Sequence, residues 1–245
     1  MNVLVTGSSG AIGQAVCREL IGRGHTVRGF DLARPREPMV GLDMQVGDVA
    51  DAEAVDSAMA GVDAVAHLAA FPDDADFKSV LLPSNVVGVY HVLESARRLH
   101  VQRVVLTSSC TTVQGHDWRH RTIRVDDSYA PNSHYAVTKI MAEGWARYYA
   151  QQLGMSVIVV RPGAFPRDEN QWANYRADKD AQRMYLSPRD AGCFYAQCVE
   201  TPDISFAVLF ATSRPNGPVA FDLEPARKLI GYEPQDTWVP SESSG

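Results

Sequence analysis

The sequence predicts an α/β protein, a doubly wound parallel sheet with a small C-terminal lobe. Three observations predict it. Short β-branched runs alternate with segments of helical periodicity, a glycine turn joins the first run to the first helix, and 45% hydrophobic residues in a chain of 245 suffice for one large core.

The alternation begins at once. Residues 2–6 form a short apolar run, and after the glycine turn residues 11–23 place Ile12, Val16, Leu20 and Ile21 on one helical stripe. Residues 25–30, 44–46 and 62–67 read as strands, with a helix at 51–60 between the last two. A helix at 84–100, a strand at 103–107, a long helix at 134–153 and a strand at 156–160 follow, the last ending at Arg161-Pro162-Gly163. Strands separated by helices pair in parallel through right-handed crossovers.

Beyond Gly163 the pattern loosens. Residues 164–186 are charged and aperiodic, 188–200 read as a helix, 204–211 as a strand and 223–230 as a short helix. The expected division is therefore 1–163 and a lobe at 164–245, the second too short for an independent domain and built on the sheet. The closing Ser-Glu-Ser-Ser-Gly reads as a frayed tail.

A net charge of −6 leaves no basic stripe for a phosphate backbone, so nucleic acid is not an expected partner. No charged leader precedes the first apolar run and no apolar stretch reaches the length of about 18 residues that spans a bilayer, so neither signal peptide nor membrane contact is expected. Cys17, Cys110, Cys193 and Cys198 form no CxxC pair, which points to a reducing compartment and hence the cytoplasm, with Cys193 and Cys198 read as small buried hydrophobes.

Gly7-Ser8-Ser9-Gly10-Ala11-Ile12-Gly13 follows the first strand and opens the first helix. Bare backbone there admits a pyrophosphate, and the helix N-terminus faces its negative charge, which makes the sheet Rossmann-type and residues 1–163 a dinucleotide-binding unit. Asp31, ending the second strand, can accept hydrogen bonds from the adenosine ribose hydroxyls and would repel a 2′-phosphate, favouring NAD over NADP. Arg34 and Arg36 stand nearby, either solvated or turned toward a phosphate. Asp48 is either an acceptor for the adenine amino group or the cap of the following helix.

On the helix from His134, Tyr135 and Lys139 lie four residues apart, on one face. An ammonium beside a phenol stabilises its anion and draws its pKa down toward the working range, where it can exchange a proton with a carbonyl or alcohol; the same lysine can hold the nicotinamide ribose. The fifth strand ends in Thr107-Ser108-Ser109-Cys110-Thr111-Thr112, and carboxyl ends of strands are where ligands sit in an open α/β sheet.

Taken in order, Gly7-x-x-Gly10-x-x-Gly13, Asp31, Asp48-Val49, His67-Leu68-Ala69-Ala70, Asn85, Ser108-Ser109, Tyr135-x-x-x-Lys139 and Arg161-Pro162-Gly163 resemble the extended short-chain dehydrogenase/reductase family. Residues from Asp222-Leu223 to Gly231-Tyr232-Glu233-Pro234 resemble its last helix and turn, and the short lobe is most similar to the uronate dehydrogenases. The resemblance implies Tyr135 as acid/base, Lys139 as ribose-binding partner, Ser109 as donor to the substrate oxygen and Asn85 near the proton relay. It implies cofactor contacts at Gly7, Ser9, Gly10, Ala11, Ile12, Gly13, Asp31, Asp48, Val49, Leu68, Ala69, Ala70 and Pro162. An alternative alignment moves the substrate-oxygen position from Ser109 to Cys110, whose thiol is a weak donor.

The substrate side departs from the uronate enzymes. Where these carry polar contacts the chain offers Ala11, Pro72, Cys110, Thr111 and Ala164. A substrate carboxylate would find an arginine at Arg176 or Arg183, unless these are solvated. His116 and His120 have a spacing that can hold zinc on a helix, but their segment is not helical and has no third ligand, so no metal is expected. The expected activity is NAD-dependent hydride transfer at a secondary alcohol or carbonyl of a small polar, sugar-like or sugar-acid-like molecule. The alternatives are an NAD-retaining epimerase or dehydratase and a dinucleotide sensor without turnover. A homodimer through the helices from Ser84 and His134 is expected, because Met141, Trp145, Tyr148 and Tyr149 exceed what one sheet contact covers.

Overall fold

A computed structural model describes residues 1–167, 169–215 and 217–238; the tail read as frayed lies outside the described residues. Seven strands form one parallel sheet in the order β3-β2-β1-β4-β5-β6-β7. They are β1 (Asn2–Thr6), β2 (Thr26–Asp31), β3 (Leu42–Val46), β4 (Ala64–His67), β5 (Arg103–Thr107), β6 (Val157–Pro162) and β7 (Phe206–Ala211). Strand order reverses between β1 and β4, so their carboxyl ends open a crevice at the topological switch point.

Side chains alternate across β1, and the sheet is covered on both faces. Val3 and Val5 face a layer made by α1 (Ala11–Gly22) and α6 (Pro188–Glu200), with Leu20, Phe194 and Tyr195 buried in it. Leu4 faces the opposite layer of α2 (Ala52–Met59), α3 (Gly88–Arg98) and α4 (His134–Leu153), where Met59, Leu93 and Ala146 are buried. The helices α1 and α6 approach closely at Gly192, where a Cβ would stand 2.9 Å from the Ala15 carbonyl oxygen. The ends are set by local chemistry. Asp51 caps α2 through the N–H groups of Glu53 and Ala54, Ser133 caps α4 through that of Ala136, and Gly154 ends α4 at φ +71°.

Two helical segments depart from the sequence expectation. The helix expected from Ser84 starts earlier, as a wide π-type segment at Phe77–Val87 that contains Pro83 and runs into α3. Proline lacks the N–H of a regular turn, and a widened ladder is one way to accommodate it. The stretch read as aperiodic holds α5 (Glu169–Ala177).

After Gly163 the chain does two things. Residues 188–211 supply α6 and the edge strand β7, and α7 (Glu224–Ile230) lays Ala226 and Ile230 into the same layer as α6, while other segments meet the residues that follow β5 and β6. A third apolar cluster there packs Cys110, Val113, Trp118 and Ile123 against Ala164, Met184, Phe210 and Phe221.

Candidate active site

The glycine turn is closed by sterics. Gly7 has φ +72°, and a Cβ on it would stand 2.6 Å from the Ala69 nitrogen; one on Gly13 would stand 2.0 Å from the Gly7 carbonyl oxygen. Gly10 opens α1 with no side-chain cap, so the first N–H groups of the helix, at Ala11, Ile12 and Gly13, face the crevice end without a protein side-chain acceptor. A cradle that a Cβ would fill, under an uncapped helix N-terminus, fits the pyrophosphate of a dinucleotide.

Asp31 ends β2 beside this turn. Its carboxylate accepts from the N–H of Ser9 at 2.9 Å and of Leu32 at 2.7 Å, while Ser9 Oγ donates to the Ala33 carbonyl at 2.6 Å. Arg34 and Arg36 are exposed. Asp48 is exposed and accepts from the Ala50 N–H at 2.9 Å; the cap of α2 is Asp51, so the capping alternative for Asp48 falls away. Val49 is buried, and Leu68, Ala69 and Ala70 are half-buried where the chain leaves β4, with the Ala69 N–H donating to Thr6 Oγ1 at 3.3 Å.

The other wall is α4. Its first turn is held by Asp74, whose Oδ1 accepts the Tyr135 N–H at 3.0 Å. Lys139 is buried; its Nζ donates to the Thr107 carbonyl at 3.1 Å and lies 5.6 Å from the Tyr135 ring centre. Ser109 precedes a tight turn at Cys110–Thr112 and accepts from the N–H of Thr111 at 3.2 Å and from its hydroxyl at 2.9 Å.

Burial pushes the Tyr135 phenol up to about 12, against the lowering effects of its hydrogen bond with Ser109 and the charge of Arg167. The expectation that the lysine draws the phenol down is therefore corrected for the free protein: burial sets the upward direction, and the groups that lower the value are Ser109 and Arg167, not Lys139. Burial also lowers the Lys139 ammonium itself to about 8. The Cys110 thiol is buried and raised to about 12, so it is neutral at physiological pH.

The remaining expected residues divide. Thr111 is half-buried beside Ser109, Pro162 is buried at the end of β6, and Ala164 is buried with its N–H on the Met184 carbonyl at 2.7 Å. Asn85 does not point into the crevice. Its amide accepts the Phe71 N–H at 2.8 Å and the Ser84 hydroxyl at 2.7 Å, and donates to the Phe71 carbonyl at 3.0 Å and to Thr138 Oγ1 at 3.3 Å. It clamps the loop after β4 to α4. Arg183 is likewise committed: its guanidinium donates to the carbonyls of Pro218, Arg119 and Trp118 and pairs with Asp180 at 3.2 Å, which removes it as a free carboxylate receptor. Arg176 lies half-buried on α5. His116 and His120 go to separate partners, the Ser128 carbonyl and Asp117.

Three features escaped the sequence. Glu143, one turn beyond Lys139, forms a buried pair with Arg161 at 2.8 Å and also accepts from Ser108 at 2.5 Å and Tyr129 at 3.0 Å. The i, i+4, i+8 stripe Tyr135, Lys139, Glu143 was the available signal. Arg167 pairs with Asp73 at 2.7 Å beside the site, and Tyr175 stands close enough to Cys110 and Arg167 to feel both.

Comparison with known proteins supplies the family. Residues 3–165 match the model of the NAD dependent epimerase/dehydratase family. A uronate dehydrogenase of Pseudomonas syringae pv. tomato is 31% identical over 96% of this chain and 82% of its own. An NAD-dependent glucose-6-phosphate dehydrogenase of Haloferax volcanii is also 31% identical, over 96% of this chain and 93% of its own. Among solved structures, a glucuronic acid dehydrogenase from Chromohalobacter salexigens superposes with a TM-score of 0.83 at 25% identity, covering 96% of this chain and 85% of that one. With residues 3–165 matching the family model and relatives 31% identical over 96% of its length, the chain belongs to the NAD-dependent epimerase/dehydratase family.

Proposed function

We propose that the protein is an NAD-dependent dehydrogenase that oxidises a hydroxyl-bearing carbon of a small sugar or sugar acid. The observation that carries this reading is the approach of Ser109 and Lys139 to Tyr135, in a chain that matches sugar and sugar-acid dehydrogenases over 96% of its length.

In this reading Gly7, Gly10, Gly13 and the N–H groups that follow hold the pyrophosphate, and Asp31 holds the adenosine ribose while rejecting a 2′-phosphate. Asp48, Val49 and residues 68–70 border the adenine and ribose, and Pro162 borders the nicotinamide end. Bound NAD supplies the hydride acceptor. Ser109 orients the substrate oxygen, Tyr135 takes its proton and Lys139 holds the nicotinamide ribose. Asn85 is a positioning residue for the Phe71 loop and for α4. Cys110, Thr111, Ala164 and Tyr175 line the substrate side, under a cap made by 169–187 and 217–223. Residues 1–163 with α6 and β7 form the dinucleotide-binding body.

The same reading places the protein in the cytoplasm, where its four free cysteines stay reduced. No helix among the described residues is long and apolar enough to cross a membrane. It also pairs two copies through α3 and α4, where Tyr90, Val137, Met141 and Tyr148 are exposed. Tyr149, counted for that face from the sequence, instead packs inside and donates to Glu94.

The test is a screen of uronates, aldose phosphates and neutral aldoses with NAD and with NADP, followed by cofactor reduction. Turnover with NAD on at least one sugar, and weaker NADP use, is the expected result. Tight retention of NAD through purification without net reduction would favour the epimerase chemistry instead.

A further inference from the structure

Beside the active site a guanidinium and a carboxylate meet from different segments. Asp73 belongs to the loop that leaves β4, Arg167 to the segment that leaves β6, and Nη2 of the arginine donates to Oδ1 of the aspartate at 2.7 Å. The loop has three acids, and two hold helix starts. Asp74 accepts the Tyr135 N–H at 3.0 Å, and Asp76 accepts from the Ser79 N–H at 2.8 Å and hydroxyl at 2.6 Å. Asp73, the third, reaches across to Arg167.

The arginine is aimed from its own side. Its backbone N–H and its Nε donate to Gln171 Oε1 at 2.9 and 3.4 Å, in the first turn of α5. Asp73 directly precedes Asp74, which holds the Tyr135 N–H at 3.0 Å, and the charges of both members of the pair bear on the Tyr135 hydroxyl, that of Arg167 on Tyr175 as well. The pair is open to water, with Arg167 32% and Asp73 60% exposed, and an exposed ion pair is weak and readily exchanged. The contrast with neighbouring cations is sharp: Arg161 is locked to Glu143 with both side chains under 5% exposed, and Arg183 is spent on backbone carbonyls.

We propose that Arg167 reads an oxyanion on the substrate, carboxylate or phosphate, and that Asp73 holds the guanidinium until such a group displaces it. A planar guanidinium offers two parallel N–H donors to either anion, which a single carboxylate oxygen of Asp73 does not saturate. Asp73 thereby sets specificity as well. It repels an anion that cannot reach the arginine, and once displaced it can accept from sugar hydroxyls. The inference rests on the sugar dehydrogenase reading and assigns its substrate class.

The probes are galacturonate against galactose and glucose 6-phosphate against glucose, each pair differing at one anionic group. Binding to the free protein is followed by tryptophan fluorescence, Trp172 standing next to Gln171 on α5. The wild type should bind at least one anionic sugar ~10-fold or more tighter than its neutral partner. The two arms tell carboxylate from phosphate. Arg167→Gln should erase that preference with NAD affinity unchanged, Asp73→Asn should increase it, and Arg176→Gln should leave it intact. A preference that survives Arg167→Gln, or sugars bound and oxidised with no anionic preference, would overturn the inference while leaving the dehydrogenase reading in place. Absence of any sugar binding or oxidation would sink both.

Discussion

The residues proposed for proton transfer are poised by burial. With the Tyr135 phenol raised to about 12, its base form grows only as pH rises, so alcohol oxidation, which needs that oxygen to accept a proton, should accelerate through neutral pH. Lys139, lowered to about 8, loses its charge in the alkaline range, and the gain should flatten above that value. A kcat/KM profile for oxidation that falls with rising pH would contradict this assignment. Ser109 and Cys110 are separable in the same assay. Ser109→Ala removes the hydroxyl that meets Tyr135 and should cost turnover more than Cys110→Ala, which removes a buried neutral thiol; the reverse order would move the substrate contact to Cys110. Tyr135 and Lys139 were legible because a helix repeats every 3.6 residues. Arg183 was not, since its acceptors are backbone carbonyls up to 65 positions away and no residue pattern marks a carbonyl.

The element that organises the site is α4, which carries Tyr135, Lys139 and Glu143 on one stripe. Its last member is structural. Glu143→Ala leaves Arg161 charged, buried and without its carboxylate, and should lower stability by ~3–5 kcal/mol in a urea titration. A loss below about 1 kcal/mol would mean that water or another acid reaches Arg161. Elements with strong periodicity were readable to within a few residues. The segment α5 was not, because its aromatics answer to partners distant in sequence: Trp172 packs on Tyr185 and Trp238, and Tyr175 on Trp238. The wide helix before α3 was missed for a related reason. Pro83 reads as a helix stop, although Asp76 at the true start caps the Ser79 N–H.

For the whole molecule, strand–helix alternation sufficed to foresee a parallel, doubly wound sheet, and the glycine turn located its ligand end. The destination of the last third was harder to read, since an edge strand such as β7 announces neither its sheet nor its neighbour. Exposed Tyr90, Met141 and Tyr148 on adjacent helices form an apolar face, and light scattering at micromolar protein should report a dimer that Tyr148→Glu weakens; a wild-type monomer would leave that face without a partner. The central claim is that one phenol, held beside the cofactor cradle, moves the proton in an NAD-dependent oxidation. It is tested most directly by steady-state kinetics and calorimetric NAD binding of Tyr135→Phe against the wild type on the best sugar from the screen. The account predicts kcat lowered at least ~100-fold with NAD affinity nearly unchanged, because the ring stays and only the hydroxyl goes. Turnover at the wild-type rate would contradict it.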